Sequence, residues 1–392
     1  MNMNWNEFAI SAIGDVIGGG TPSTKHNEYY GDEIAWITPK DLSNFNGRYI
    51  SRGERSISQK GYDNSSAQMM PAGTVLFSSR APIGYVAIAK NELCTNQGFK
   101  SVVPHSEICD SEFLYYLLCY RKHDIKAIAS GTTFMEVSGT ALKNFVVHMP
   151  DISTQKKIAS VLSSLDQRIE GNNLINHNLE EQLYALYASN YDNLSGKKVP
   201  LKECCSFQEG YVNPTQTKPE YFDGSVKWLR AVDINESFII STSRTLTEQG
   251  FASAGKSALL FPKDSIAISK SGTIGRLGIV ADNMCGNRAV INIVPKQKKW
   301  LAFIYCYLKS RQAEFSDLAV GSVQKNLYVS ILEPLEIFSP ADSVLNDFHF
   351  SAQTILEKMK NNCFEMQSLA QLRDALLPKL MSGEIDVSEV EV

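Results

Sequence analysis

The segment Gly250-Phe-Ala-Ser-Ala-Gly255-Lys256-Ser257 has the spacing of a phosphate-binding loop, with glycines to admit backbone amides and a Lys-Ser pair to meet phosphate. Such a loop must follow a buried apolar strand and open a helix. Residues 243–249 are polar instead, and Pro262 would stop the helix within two turns. Gly18-Gly19-Gly20 reads as a turn, without the strand–helix setting of a dinucleotide fold. Asn213-Pro214-Thr215-Gln216 is faintly similar to the catalytic tetrapeptide of amino-methylating DNA enzymes, but lacks the second proline and the aromatic residue on which a flipped base stacks. The acidic pair followed by Glu-x-Lys of many metal-dependent nucleases is not found, and the six histidines are isolated. The eight cysteines form no CxxC pair, which reads as reduced thiols rather than a zinc site or disulfide frame. The sequence therefore predicts no catalytic residue and no metal site in this chain.

With no chemistry concentrated at one place, the elements that would position binding groups become the question. The chain has 392 residues, 43% hydrophobic and 20% charged, enough for two or three soluble domains. Residues 1–20 lack the basic start and apolar run of a secretory signal, and no apolar stretch reaches the roughly 18 residues of a membrane span, so a cytoplasmic protein is expected.

An internal repeat dominates the pattern. Tyr29-Tyr30, Trp36 and Asp41-Leu42 match Tyr221-Phe222, Trp228 and Asp233-Ile234 at an offset of 192. Pro71, Val75, Ser78, Ile83, Gly84, Cys94, Asn96 and Pro104 match Pro262, Ile266, Ser269, Ile274, Gly275, Cys285, Asn287 and Pro295 at an offset near 191. Phe113, Tyr115, Leu118, Gly131 and Pro150 match Phe303, Tyr305, Leu308, Gly321 and Pro340 at 190. Register kept across so many positions implies duplication with small deletions. Each copy runs through short β-rich segments, a short aromatic helix and an apolar run ending at Pro150 or Pro340, after which the apolar period turns helical.

The predicted division is a globular domain over 1–152, a long helix over 153–195, a second globular domain over 196–340, and a second long helix with a tail over 341–392. In the first helix Ile158, Leu162, Leu165, Ile169, Asn172, Asn176, Leu179, Leu183 and Leu186 step by four and three, a coiled-coil seam with a polar middle, and Ser153 can cap its start. The second seam is Phe348, Ala352, Ile355, Met359, Asn362, Met366, Leu369, Arg373 and Leu376, with Leu372 as a substitute for Arg373. The two helices are expected to pair with each other. Spacing alone leaves parallel and antiparallel open. If antiparallel, the duplication places a pseudo-twofold axis at mid-helix and sets Asn172 against Asn362, and a helix of this length makes a rod of about 60 Å.

Net charge is −4, but unevenly spread. Residues 196–340 carry 18 Lys and Arg against 13 Asp and Glu, whereas residues 1–152 carry 13 against 15. Phosphate binding draws on local positive charge, so the second globular part suits nucleic acid directly and the first needs local clustering or a basic partner.

Three stretches are similar to the specificity subunits of type I restriction–modification systems, and the resemblance covers nearly the whole chain. They are Gly73-Thr-Val-Leu-Phe-Ser-Ser-Arg80-Ala-Pro-Ile-Gly84, Pro150-Asp-Ile-Ser-Thr-Gln155-Lys-Lys-Ile158-Ala159 and Leu372-Arg-Asp-Ala-Leu-Leu-Pro-Lys-Leu-Met-Ser-Gly-Glu-Ile385. The second helix start, Pro340-Ala-Asp-Ser-Val-Leu-Asn-Asp-Phe348, departs from the pattern with Leu345 at the Gln position. The resemblance implies an α+β tandem duplication: two target recognition domains on two long helices paired as an antiparallel coiled coil with pseudo-twofold symmetry. It implies that each domain reads half of a bipartite duplex DNA site. It also implies that the helices set the spacing and dock two adenine methyltransferase subunits, and that a separate translocase–endonuclease subunit completes the complex. S-adenosylmethionine, ATP and Mg²⁺ would then belong to those partners and no cofactor to this chain.

Base edges call for Arg, Lys, Asn, Gln and small hydroxyls on loops, and phosphates for Lys, Arg and backbone amides. The candidates in the first domain are Lys25, Lys40, Arg48, Arg52, Ser79, Arg80, Thr132 and Thr133. In the second they are Lys218, Arg230, Arg244, Lys256, Lys270, Ser271, Ser322, Gln324 and Lys325. Positions shared by both copies, such as Ser78 with Ser269 and Gly84 with Gly275, are expected to shape a common loop, because copies reading different half-sites must differ where they read. Trp36 and Trp228 are expected to anchor cores. The competing readings are a single-chain DNA methyltransferase or nuclease with built-in readers, and a scaffold without a DNA role; the missing catalytic motifs argue against the first.

Overall fold

Short β-branched and aromatic runs, each cut off by Gly, Pro or Asn, form strands, and the two long heptad-like stretches form helices. In the computed structural model, which describes residues 5–43, 45–131, 135–192, 197–235, 237–321 and 324–390, these elements gather into two units. One comprises Met1–Glu170 with Ser368–Val392, the other Gly171–Gln367. Each unit takes part of both long helices.

In the first unit the strands are β1 (Asn6–Ala9), β2 (Gly14–Gly18), β3 (Tyr30–Ile37), β4 (Tyr49–Ile50), β5 (Ser56–Ile57), β6 (Val75–Phe77), β7 (Val86–Ala89), β8 (Cys94–Thr95), β9 (Lys100–Pro104) and β10 (Val146–Met149). Helix α1 (Ser111–Ala127) precedes β10, and α2 (Ile152–Asp192) follows it. The main sheet has the order β2-β9-β6-β7-β4, a smaller one β5-β3-β8, and β1 pairs with β10. β6 reads as a continuous apolar run because it is covered on both faces. Val75 and Phe77 join the core built by Phe113, Leu114 and Leu117 of α1, while Leu76 faces Ala87, Ala89 and Phe99. The Asp110 carboxylate caps α1 by accepting from the Phe113 amide at 2.9 Å.

The second unit repeats this plan. Its strands are β11 (Lys197–Pro200), β12 (Cys205–Glu209), β13 (Phe222–Leu229), β14 (Phe238–Ile239), β15 (Thr245–Leu246), β16 (Leu260–Phe261), β17 (Ser265–Ser269), β18 (Leu277–Val280), β19 (Met284–Gly286), β20 (Val290–Pro295) and β21 (Glu336–Ser339). Helix α3 (Leu301–Ser310) corresponds to α1, and α4 (Asp342–Met381) to α2. The main sheet, β12-β20-β17-β18-β14, has the order of its counterpart strand for strand, and β11 pairs with β21 as β1 does with β10. The fold is thus an α+β tandem duplication.

The long helices run antiparallel where they meet. In the second unit Asn176 of α2 meets Asn362 of α4, and Tyr187 further along α2 meets Phe348 earlier in α4. In the first unit Arg373 of α4 donates to Asp166 at 2.7 Å, and Lys157 reaches the Ser388 carbonyl beyond the end of α4. Of the expected seam, Ile158, Leu162, Leu183, Phe348, Met359, Asn362 and Leu369 are buried, and Leu165, Ile169, Asn172, Leu179, Leu186, Ile355 and Leu376 are half-buried.

Three expectations about the helices are corrected. Asn362 donates to Asn176 Oδ1 at 2.8 Å rather than facing Asn172. Repeat mates lie a fixed offset apart, whereas antiparallel partners share a fixed sum, so the two rules do not pair the same residues. Leu372 does not replace Arg373 in the seam: it is 48% exposed, while Arg373 turns to Asp166. Asp151, not Ser153, caps α2, accepting from the Ser153 and Thr154 amides at 3.0 Å each. These hydrogen bonds, led by that from the Thr154 backbone, hold its carboxyl below the usual value.

Gln155 is fully buried. It donates to the Ile108 and Pro150 carbonyls, each at 2.9 Å, and accepts from the Asp110 amide at 3.0 Å. It therefore ties the start of α2 to the cap of α1. Leu345, its counterpart, fills that place with apolar packing and is 1% exposed.

Candidate nucleic-acid interface

Both units build the same frame around an indole. Trp36 Nε1 donates to the Gly20 carbonyl at 2.9 Å, and Trp228 Nε1 to the Val212 carbonyl at 2.7 Å. An arginine lies over the neighbouring ring in each, Arg55 at 4.2 Å from the Tyr30 centroid and Arg244 at 4.1 Å from that of Phe222. Arg55 was not singled out from the sequence, although its place before a matched strand makes it the repeat mate of Arg244. Arg244 also donates to Gln216 at 2.7 Å, so this candidate is spent on a device common to both copies.

The loop after β6 and its counterpart after β17 are shaped alike. Ser78 Oγ donates to the Pro82 carbonyl at 2.8 Å and accepts from the Tyr85 amide at 2.8 Å. Ser269 Oγ serves the Thr273 carbonyl and the Arg276 amide in the same way. Gly84 and Gly275 take φ of 102° and 87°, the left-handed region that favours glycine.

The groups gathered at this shared loop differ between copies. In the first unit Arg80 and Lys100 converge on Glu136, at 3.5 and 3.3 Å. In the second, Lys270 pairs with Glu209 at 3.1 Å and lies 4.9 Å from the Tyr328 ring centroid. Burial pushes the Glu209 carboxyl up, but the hydrogen bond from Tyr211 at 2.6 Å and the Lys270 ammonium outweigh it and hold the carboxyl below its usual value. Glu209, Tyr211, Lys100 and Glu136 were missed because acidic, aromatic and strand-end residues were not weighed as readers. The signal was available, since the strands that carry Glu209 and Lys100 align in the repeat and the residues there do not match.

Two candidates are ruled out by burial. The Arg48 side chain is 4% exposed and held by Glu112 at 3.0 Å, Glu170 at 3.5 Å and Asp166 at 4.0 Å, so it is a structural cation between the first domain and α2. Ser79 is fully buried and donates to the Gly98 carbonyl at 3.1 Å. Arg52 is exposed but folded onto the Asp32 carbonyl and Ser56. Lys40 pairs with Glu54 at 2.6 Å in open solvent. Arg230 reaches Asp233 and Ser243. Lys218 donates to Tyr221 Oη at 3.1 Å. Lys25, Lys256, Gln324 and Lys325 are exposed, and Ser271 is half-buried beside Lys270. Thr132, Thr133 and Ser322 lie outside the described residues.

The phosphate-loop spacing at 250–257 has a structural cause. A Cβ on Gly250 would meet the Tyr221 carbonyl at 2.1 Å, and one on its counterpart Gly61 would meet the Tyr29 carbonyl at 2.1 Å. Both are packed glycines in a short capped turn, without the strand–loop–helix setting of a phosphate site. Among the described residues no cluster of His, Cys, Asp and Glu fits a metal ion. Burial pushes thiols such as Cys94, Cys109 and Cys285 up to about 12. No helix among the described residues is long and apolar enough to cross a membrane.

Comparison with known proteins gives the geometry a setting. The sequence matches the family described as "Type I restriction modification DNA specificity domain" twice, over residues 2–181 and 196–364. It is 35% identical over 414 residues to the type I restriction enzyme MjaIX specificity subunit of Methanocaldococcus jannaschii, covering 99% of this chain and 95% of that one. It is 23% identical to the HindI specificity subunit of Haemophilus influenzae, covering 96% of each. The fold is similar to the crystal structure of a type I restriction–modification S subunit from M. genitalium, with a TM-score of 0.57 at 17% identity over 97% of this chain and 96% of that one.

Proposed function

The chain belongs to the family of type I restriction–modification DNA specificity subunits, and from that premise we propose how its two halves divide the work. It is a DNA sequence-recognition subunit with two target recognition domains, and it is not the catalytic component. Each domain reads one half of a bipartite duplex site, and the sites differ because the domains differ. The observation that carries this reading is the pair of equivalent loops. The frame is the same in both units, but Arg80, Lys100 and Glu136 occupy it in one, and Glu209, Tyr211 and Lys270 in the other. A common fold with exchanged polar groups is what reading two different sequences with one architecture requires.

The partners belong to the same reading. Two adenine methyltransferase subunits bind the chain and supply S-adenosylmethionine. A separate ATP- and Mg²⁺-dependent translocase–endonuclease subunit completes the assembly, which works on DNA in the cytoplasm. Exposed apolar side chains on the helices, Leu174 at 62% and Phe350 at 80%, support a role for the helices in docking.

The test is methylome mapping in cells that carry the chain with its partners. Adenine methylation at a bipartite motif is expected, and exchange of 196–340 for the same region of a relative should change one half of the motif only. A change in both halves, or none, refutes the division of labour. The purified chain alone should transfer no methyl group from a labelled donor; transfer would support the single-chain enzyme instead.

A further inference from the structure

Three positions coincide in the two main sheets at one offset of 191: Gly18 with Glu209, Ser79 with Lys270, and Lys100 with Ile291. Glu209 ends β12 opposite Ile291 of β20, and Gly18 ends β2 opposite Lys100 of β9. The same patch at the end of the sheet therefore carries its charge on the flanking positions in one unit and on the central strand in the other. A Cβ on Gly18 would meet nothing within 4 Å, so the place that Glu209 fills stands open in the first unit. What both patches keep is one carboxylate beside a cation. Glu209 is 3.1 Å from Lys270, and Glu136 is 3.3 Å from Lys100 and 3.5 Å from Arg80.

A carboxylate at a DNA interface repels phosphate, so it must gain something from a base edge. In the major groove only donors satisfy it: cytosine N4 or adenine N6. Its neighbour fixes which strand of the base pair carries that donor. In the major groove a G·C pair presents the guanine O6 acceptor beside the cytosine N4 donor, and the two are hydrogen-bonded at about 2.9 Å. Lys270 and Glu209 offer a donor and an acceptor at nearly that separation. An A·T pair inverts both groups, placing adenine N6–H where O6 stood and thymine O4 where N4–H stood. The lysine then meets a donor and the carboxylate an acceptor, whereas a T·A pair, with thymine O4 in place of O6 and adenine N6–H in place of N4–H, keeps the order and satisfies both.

The pair in the second unit is held for such use. The Lys270 amide donates to the Ala289 carbonyl at 2.7 Å, and the Lys270 carbonyl accepts from the Leu327 amide at 2.9 Å. Tyr211 fixes the carboxylate at 2.6 Å. The lysine and glutamate side chains remain 15% and 22% exposed.

We infer that the carboxylate–cation pair at the sheet end of each unit reads the orientation of one base pair in its half-site, taking G·C or T·A and rejecting C·G and A·T: Glu209 takes the cytosine N4 or adenine N6 donor and Lys270 the guanine O6 or thymine O4 acceptor, as Glu136 does with Lys100 or Arg80. This rests on the two units being target recognition domains. The experiment uses the full chain assembled with its methyltransferase subunits, and duplexes of the mapped motif with each base pair replaced in turn by the other three, in competition at fixed salt.

Glu209→Ala and Lys270→Met should each lower discrimination at the same single position, by about tenfold or more, and leave the other half-site as in the wild type. The swap Glu209→Lys with Lys270→Glu keeps the ion pair and so the local fold, and should turn the preference at that position from G·C or T·A to C·G or A·T. A uniform loss of affinity across all duplexes marks a phosphate contact and overturns the inference. So does unchanged discrimination, or a swap that retains the wild-type orientation. A wild-type assembly with no bipartite motif would instead refute the reading of the two domains.

Discussion

The polar layer in the helix pair permits a double-mutant cycle with a sign change. Asn362 Nδ2 donates to Asn176 Oδ1 at 2.8 Å, and Asn176 Nδ2 donates to the Met359 carbonyl at 3.1 Å. Asn362 is 1% exposed, and its Oδ1 is buried without a hydrogen-bond partner. Replacing either Asn alone by Leu strands the surviving amide group, which costs about 1–3 kcal/mol, partly offset by apolar burial. Each single variant should be about 1 kcal/mol less stable than the wild type. Replacing both removes every stranded group and adds two buried apolar side chains, so the double variant should be at least as stable as the wild type. The coupling energy is then about 2 kcal/mol or more, within the range for contacting residues. Urea unfolding of the full chain gives stability, and amide exchange over 172–187 and 348–366 localises it. The double variant should exchange more heterogeneously, because a buried Asn pair specifies register at some cost in stability. Effects that add within about 0.5 kcal/mol, or a double variant less stable than either single one, would refute the reasoning.

Other outcomes follow from the same contacts. Arg48→Ala leaves Glu112, Asp166 and Glu170 without their shared cation and should destabilise the first unit by about 3–5 kcal/mol in thermal unfolding, while the salt slope of DNA binding by the folded assembly stays unchanged. Gly61→Ala and Gly250→Ala each drive a Cβ to within 2.1 Å of a tyrosine carbonyl; both should cost about 2 kcal/mol or more by denaturant midpoint, and equal cost in the two units would mark a shared structural role. Glu209 is held below the 4.5 of a free carboxyl, so it adds stability that is fully present above that pH and lost as pH falls through the folded value. Acid titration of the wild type should therefore be steeper below pH 4.5 than that of Glu209→Gln, and coincident titrations would count against the contact.

The duplication, the α+β class and the helix pairing were legible because each rests on periodicity or self-similarity, which survive without knowledge of contacts. Helix register was not, since the symmetry that matches Asn172 with Asn362 differs from the symmetry that brings Asn362 to Asn176, and only packing tells them apart. The cap of α2 was misplaced by two residues because Asp151 and Ser153 are both good caps, and the choice depends on where the chain leaves β10. The role of Gln155 was hidden for a related reason: its three partners are backbone groups of a loop and a helix start, which carry no side-chain signature.

Site residues were the least legible, and Arg48 and Lys270 show why. Both are basic residues near the ends of short strands, yet one is spent on three carboxylates inside the protein and the other stands half-open at the sheet end. Composition cannot separate them. The repeat offers a better criterion, because the offset that maps one copy on the other sorts residues into those the frame needs twice and those used once. Arg55 with Arg244, Gly61 with Gly250, and Ser78 with Ser269 fall in the first class, and the structure gives each pair the same contact. Glu209, Lys270 and Lys100 fall in the second, as does Arg48, so single use is necessary for a reading residue but not sufficient. Partial exposure at the shared patch supplies the missing condition: it keeps Lys270 and Lys100 and removes Arg48 and Ser79. A reader of sequence in a duplicated protein must therefore be both unmatched in the repeat and open at a matched place.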